Sequence, residues 1–253
     1  VRPGGLLVQA SCSSRVTSEE FFTAFQPAEG FSTRFSSAGH ILGSACVQVT
    51  AEGKRVTFTG DVGRPHDPVM QPPVPLEETD YLVVESTYGD RRHDPADPLD
   101  ILEEAITSTF RKGGVVIIPA FAVGRAQTLL RLVDVLMSAG RVPEAPIYLD
   151  SPMAIDATEL FCRYKTQHRL SDEDCKSMCG RVIYTRTVKE SKAIAAHAMP
   201  KIIISASGML TGGRVLHHLF QVAPDHRSTI VLAGYQAAGT RGEALWNGAR
   251  SLR

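Results

Sequence analysis

Three short stretches in the first third of the chain carry side chains of the kind that bind metals or move protons. His40 lies in Ala38-Gly39-His40-Ile41-Leu42-Gly43, Asp61 in Thr59-Gly60-Asp61-Val62-Gly63-Arg64, and Glu85 in Val83-Val84-Glu85-Ser86. Glycines around His40 and Asp61 leave the backbone free to turn there. Each residue follows or ends a run that reads as a strand, and polar groups at the ends of neighbouring strands can converge on one point. Imidazole nitrogen and carboxylate oxygen are both donors that zinc accepts. The same residues also have plainer uses: a histidine packed in a turn, an aspartate capping one, a glutamate in a surface ion pair. Two ligands, moreover, do not make a zinc site, which usually takes three or four protein groups.

A second set of candidates follows the apolar runs of the later chain. They are Phe121-Ala122-Val123-Gly124-Arg125, Asp150-Ser151, Ser205-Ala206-Ser207-Gly208 and Gly234-Tyr235-Gln236. In an open parallel sheet, ligands sit beyond the carboxyl ends of the strands. Ser205-Ala206-Ser207-Gly208-Met209-Leu210-Thr211-Gly212-Gly213-Arg214 combines small hydroxyl residues, glycines and an arginine at a helix start. That composition lets backbone N–H groups approach an anion. It equally suits a tight strand-to-helix turn that needs glycine for conformation alone. It is neither a Walker loop nor a clean GxGxxG.

The elements that must position these residues change character along the chain. From Phe31 alternating segments, separated by Glu52-Gly53, predict a hairpin whose second strand ends at Asp61. A proline-rich connection from Pro65 to Pro75 leads to a short buried strand in Tyr81-Leu82-Val83-Val84-Glu85-Ser86. Asp97 then caps, and Pro98 opens, a helix with Leu99, Leu102, Ile106 and Phe110 on one face, stopped at Gly113-Gly114. Beyond it, short apolar strands alternate with amphipathic helices, the pattern of a mainly parallel sheet covered on both faces. The division falls near residues 90–98: a ragged lead-in at 1–16, a first part at 17–95 and a second at 96–253.

Composition narrows the partners. The 253 residues are 43% hydrophobic, with lysine plus arginine and aspartate plus glutamate equal at 27 each. Such a chain buries a real core and has no bulk pull on a polyanion, so a local patch must hold one. The five cysteines, Cys12, Cys46, Cys162, Cys175 and Cys179, are odd in number and show no CxxC spacing. They suggest no disulfide framework and fit a reducing, cytoplasmic compartment. Cys175 and Cys179 lie four apart without a second pair, so no zinc site is expected there. No apolar run approaches the roughly 18 residues that span a bilayer, no signal peptide is evident, and no membrane partner is expected.

Taken in order, Ala38–Ala45, Phe58–Pro65, Asp80–His93, Val116–Gln127, Ile147–Ala154 and Ile202–Arg214 resemble the metallo-β-lactamase-fold hydrolases of the β-CASP group, over residues 17–250. The group includes bacterial RNA-processing nucleases and the nuclease subunit of the pre-mRNA 3′-end cleavage complex. The resemblance implies an α/β fold: a partial metallo-β-lactamase αββα sandwich plus a β-CASP domain with a mainly parallel, Rossmann-like sheet, nucleic acid lying in the cleft between the domains. It implies that His40 is a zinc ligand, that Asp61 bridges two zinc ions, and that Glu85 lies beside them as an acidic residue ordering the site or managing protons. Asp61 and Glu85 are thereby the expected catalytic residues. Arg125, Ser207, Gly208, Thr211, Gly212 and Arg214 are the expected holders of the RNA backbone. His217 and His218 are expected to pack in core or surface.

The resemblance further implies zinc-dependent hydrolysis of single-stranded RNA by a water activated between two metals, with a homodimer left open. The group's His-x-His-x-Asp-His string does not occur here, and its two later histidines have no counterpart. The chain is therefore expected to be an interior piece of a longer protein, with weak zinc affinity and little or no nuclease activity by itself. A non-catalytic nucleic-acid-binding scaffold and a DNA-directed nuclease are the alternatives. A lactamase or thioesterase is disfavoured, since neither needs the phosphate-type turns of the second half.

Overall fold

The computed structural model describes residues 5–8, 17–92, 95–197 and 200–252. They form two compact units, Val1–Asp94 with Tyr164–Arg169, and Pro95–Arg163 with Leu170–Arg253.

The first unit is built on strands. β1 (Gly5–Val8) and β2 (Thr17–Glu20) pair antiparallel as a separate ribbon. The lead-in thus contains a strand where irregular chain was expected, and the rest of residues 1–16, with Cys12, lies outside the described residues. β3 (Ala24–Ala28), β4 (Phe31–Ser37), β5 (Ala45–Ala51), β6 (Lys54–Phe58) and β7 (Tyr81–Val83) follow one another across a five-stranded sheet, antiparallel except for the parallel β6–β7 pair. The hairpin turn is as expected. Ala51 pairs with Lys54, and Glu52 and Gly53 between them have φ of 50° and 72°, the left-handed backbone of a two-residue turn that matches strand twist.

Three details of the first unit differ from the sequence expectation. The second hairpin strand ends at Phe58, three residues short of Asp61, because the ladder stops and the chain bends. The strand expected to be buried is an exposed edge: β7 pairs only with β6, and Tyr81 and Val84 are each 60% exposed. Tyr164–Arg169, placed by sequence in the second part, packs with the first unit. Arg169 N donates to Val69 O at 2.9 Å, and Gln71 Nε2 donates to His168 O at 3.0 Å. Among the described residues this unit has a single large sheet and no α-helix, one layer of the sandwich that the resemblance implies.

The second unit alternates as expected. α1 (Pro98–Arg111) starts with Asp97 as N-cap, its carboxylate accepting from Leu99 N at 2.9 Å, and Pro98 in the first turn. β8 (Val115–Pro119), α2 (Arg125–Ser138), β9 (Ile147–Asp150) and α3 (Pro152–Arg163) come next. α4 (Asp172–Gly180) was not anticipated, although Ser171 and Asp174 form the reciprocal capping box that announces a helix. β10 (Val182–Tyr184), α5 (Val188–Ala193), β11 (Lys201–Ser205), α6 (Val215–Val222), β12 (Thr229–Ile230) and α7 (Arg241–Trp246) complete it.

The five strands lie wholly parallel in the order β10-β9-β11-β8-β12. Every residue of β8, β9 and β11 is buried, as strands covered on both faces must be, which is why they read as continuous apolar runs. Register brings their carboxyl ends level: Ser205 pairs with Asp150 on one side and Pro119 on the other. No helix among the described residues is long and apolar enough to cross a membrane.

Asp97→Ala should remove the cap of α1 at a cost of about 1 kcal/mol. Thermal unfolding followed by circular dichroism should show the midpoint fall by about 2–4 °C, and an unchanged midpoint would contradict the capping role.

Candidate metal pair and phosphate turn

His40 and Asp61 sit on two loops of the first unit, each just beyond a strand. The loops are joined through backbone. Gly63 N donates to Ala38 O at 2.8 Å, and a Cβ on Gly63 would stand 2.0 Å from Gly39 O. Gly39, at φ 65°, is itself pressed against the Gln71–Pro73 backbone, where a Cβ would lie 2.6 Å from Gln71 O. Glycine is required at both positions by lack of space, beyond any freedom of rotation. Ser44 holds the His40 loop from the other side, its hydroxyl accepting from His40 N at 3.0 Å and Ile41 N at 3.2 Å.

The result is a close pair. His40 Nε2 lies 3.6 Å from Asp61 Oδ2, with the side chains 44% and 69% exposed. Glu85 stands beside them. Its Oε1 accepts from Val62 N at 2.8 Å, Oε2 accepts from Thr87 N at 3.4 Å, and its own N–H donates to Thr59 Oγ1 at 3.2 Å. The Val62 amide, then Thr87 and the His40 imidazole, outweigh partial burial and hold the Glu85 pKa below its ordinary value. Glu85 is therefore an ionised brace on the Asp61 loop at neutral pH. In type, the imidazole and carboxylate suit zinc. In number they fall short: the described residues contain no group of three or more His, Cys, Asp or Glu able to hold a metal ion.

In the second unit the predicted phosphate residues form one turn after β11. Ser207 Oγ and Thr211 Oγ1 lie 3.1 Å apart, and Thr211 N donates to Ser207 Oγ at 3.1 Å. Gly208 packs against Phe121, where a Cβ would come within 3.1 Å of the Phe121 N, while Gly212 faces open space. Arg125 opens α2, and Gln236 ties its neighbourhood to the turn, with Nε2 donating to Gly208 O and Gly234 O, each at 3.2 Å.

Arg214 departs from expectation. Its guanidinium donates to Asp150 Oδ1 at 2.8 Å, Thr185 O at 3.0 Å and Arg186 O at 2.7 Å, so these N–H groups brace the turn from within. Asp150, fully buried at the end of β9, is the hub. Thr185 Oγ1 donates to its Oδ1 at 2.7 Å and Ser191 Oγ to its Oδ2 at 2.6 Å, while His218 Nε2 lies 2.6 Å from Oδ2. Burial works to raise the Asp150 pKa, but the hydrogen bonds of His218, Ser191, Thr185 and Arg214 outweigh it and bring it down to about 2. His218 thus packs in the core, as expected, with the Asp150 carboxylate as its polar partner. A sequence signal existed: Arg214 and His218 are four apart and share a helix face, opposite a strand that ends in aspartate.

Gly63→Ala should force the two loops apart at a cost of about 1–3 kcal/mol. A structure of the variant should show His40 Nε2 and Asp61 Oδ2 farther apart than 3.6 Å; an unchanged pair would contradict the packing argument. Asp150→Ala should cost about 3–5 kcal/mol in urea unfolding, because it takes the carboxylate from a partly buried guanidinium and a buried imidazole. The Asp150 pKa is depressed from 3.8, so its ionised form stabilises the fold. That contribution should be complete above about pH 4 and lost as pH falls toward 2, and Asp150→Asn should flatten this part of the acid profile.

Residues 126–245 match the Beta-Casp domain. An RNase J-like protein of Methanocaldococcus jannaschii is 34% identical over 246 residues, 92% of this chain and 56% of the relative. A ribonuclease of Thermus thermophilus is 39% identical over 227 residues, 85% of this chain and 51% of the relative. The transcription termination factor FttA of Pyrococcus abyssi is 34% identical over 230 residues, 85% of this chain and 35% of the relative. The chain thus spans about half the length of the first two relatives, 56% and 51%. The wholly parallel sheet of the second unit thus carries a match to the Beta-Casp domain, and the chain as a whole is similar to these relatives.

Proposed function

We propose that this chain takes part in zinc-dependent cleavage of RNA, the first unit supplying His40 and Asp61 as metal ligands and the second unit supplying the Ser207–Gly212 turn as a holder of the RNA backbone. The observation that carries the reading is the 3.6 Å approach of His40 Nε2 to Asp61 Oδ2 on loops locked to each other by backbone. Two relatives are named for ribonuclease activity, which supports RNA as the substrate, and a third for transcription termination.

Each residue has a task that follows from its surroundings. Zinc bound here would act as a Lewis acid on water and the scissile phosphate. Asp61, exposed, offers oxygen toward that position, and His40 offers Nε2. Glu85 is ionised and spent on Val62 and Thr87, so it fixes the Asp61 loop and does not serve as a proton donor at neutral pH. Ser207 and Thr211 would present hydroxyls and Gly212 bare backbone to a phosphate, while Gly208 lets the turn pack against Phe121 and Arg125 at the start of α2 adds charge. Arg214 acts indirectly, by fixing the turn to Asp150.

The test is binding of a labelled single-stranded RNA oligonucleotide with and without Zn²⁺. Zinc should tighten binding roughly tenfold, and Asp61→Ala should abolish that gain while leaving zinc-free, salt-sensitive binding in place. With two donors, the 253 residues alone should cleave RNA at background. Equal zinc enhancement in the Asp61→Ala variant would overturn the ligand assignment, and robust zinc-dependent cleavage by the chain alone would overturn the incomplete site.

A further inference from the structure

Away from both sites, three cysteines of the second unit come together. Cys162 is near the end of α3, and Cys175 and Cys179 lie one turn apart on α4. Cys162 Sγ and Cys179 Sγ are 3.0 Å apart, and both residues are partly open to solvent, whereas Cys175 is buried. The sequence pairing of Cys175 with Cys179 by their spacing overlooked Cys162, which arrives from another helix. Among the described residues no cluster of three or more donors is arranged to hold a metal ion.

We propose that Cys162 and Cys179 form an oxidation site, a dithiol that hydrogen peroxide or a similar small two-electron oxidant converts to a disulfide joining α3 to α4. Both sulfurs sit next to the last residue of a helix, so closing from 3.0 Å to the roughly 2.05 Å of a bond asks little of the strands beneath. Cys179 is the attacking sulfur: the Cys162 thiol and the Tyr184 hydroxyl donate to it and lower its pKa against the effect of burial. The same coupling raises that of Cys162, and burial raises that of Cys175.

In the first step the Cys179 thiolate attacks one peroxide oxygen, the O–O bond breaks, and hydroxide leaves to become water, giving a sulfenic acid. In the second, the Cys162 sulfur attacks the Cys179 sulfur, the S–O bond breaks, and the leaving hydroxide takes the Cys162 proton. Two thiols have lost two electrons and one peroxide has become two waters. Tyr184 ends β10, and the next two residues supply the carbonyls that hold Arg214, so the oxidised bond would form beside the support of the phosphate turn.

The reduced chain, treated with a small excess of peroxide, alkylated with iodoacetamide and digested with trypsin, tests this without any RNA. Peptide Val142–Arg163 should be found joined to Ser177–Arg181 and be released by dithiothreitol. In Cys162→Ser, dimedone should label Cys179 roughly tenfold faster than Cys46 or Cys175. Linkage of Val142–Arg163 to Leu170–Lys176, absence of a linked peptide in the wild-type digest, or labelling of Cys179 no faster than Cys46 would each overturn the proposal.

Discussion

Gly63 and Gly39 meet as bare backbone, the N–H of Gly63 bonded to Ala38 O at 2.8 Å and the carbonyl of Gly39 occupying the place a Gly63 side chain would need. That contact brings two strand ends into one small volume and sets His40 against Asp61. Neither side chain is buried enough to be placed by packing, so the loops must be rigid for the donors to stay together. The Glu85 carboxylate adds a third constraint by accepting the amide next to Asp61. Rigidity of this kind is what a metal ligand pair needs, since a site assembled only on binding must first order its own loops.

The second unit solves the same problem by charge. A buried carboxylate at the end of β9 is costly unless every lone pair is used, and Asp150 accepts from two hydroxyls and a guanidinium while facing an imidazole nitrogen. Through Arg214 that network fixes the start of α6 and the glycine-rich turn before it. Level strand ends make it possible, because Ser205 stands beside Asp150 and donates its hydroxyl to the Asp150 carbonyl at 2.8 Å. The turn is a set of backbone amides and small side chains held from below, and its open position, Gly212, faces outward.

Local signals were readable in the sequence, and long-range ones were not. Asp97-Pro98, Glu52-Gly53 and the apolar runs of β8, β9 and β11 announced a cap, a turn and a buried parallel sheet, because each depends on neighbours within a few residues. Tyr81–Val84 was misread as buried because an apolar run carries no information on whether anything covers it. Arg214 looked like a phosphate holder because the carboxylate that engages it lies 64 residues away. The Cys162–Cys179 approach was hidden for the same reason, 17 residues of intervening chain folding back on themselves. The resemblance located His40, Asp61 and Glu85 together, which spacing alone left open.

The most direct test of the account is a zinc titration of the ¹⁵N-labelled chain followed through the histidine ring nitrogens. The account predicts that Nε2 of His40 shifts first and saturates, and that Asp61→Asn abolishes the shift while His217 and His218 stay unmoved. A His40 ring that ignores zinc, or one that shifts equally in the Asp61→Asn variant, would contradict the claim that the Gly39–Gly63 contact holds two ligands of one metal.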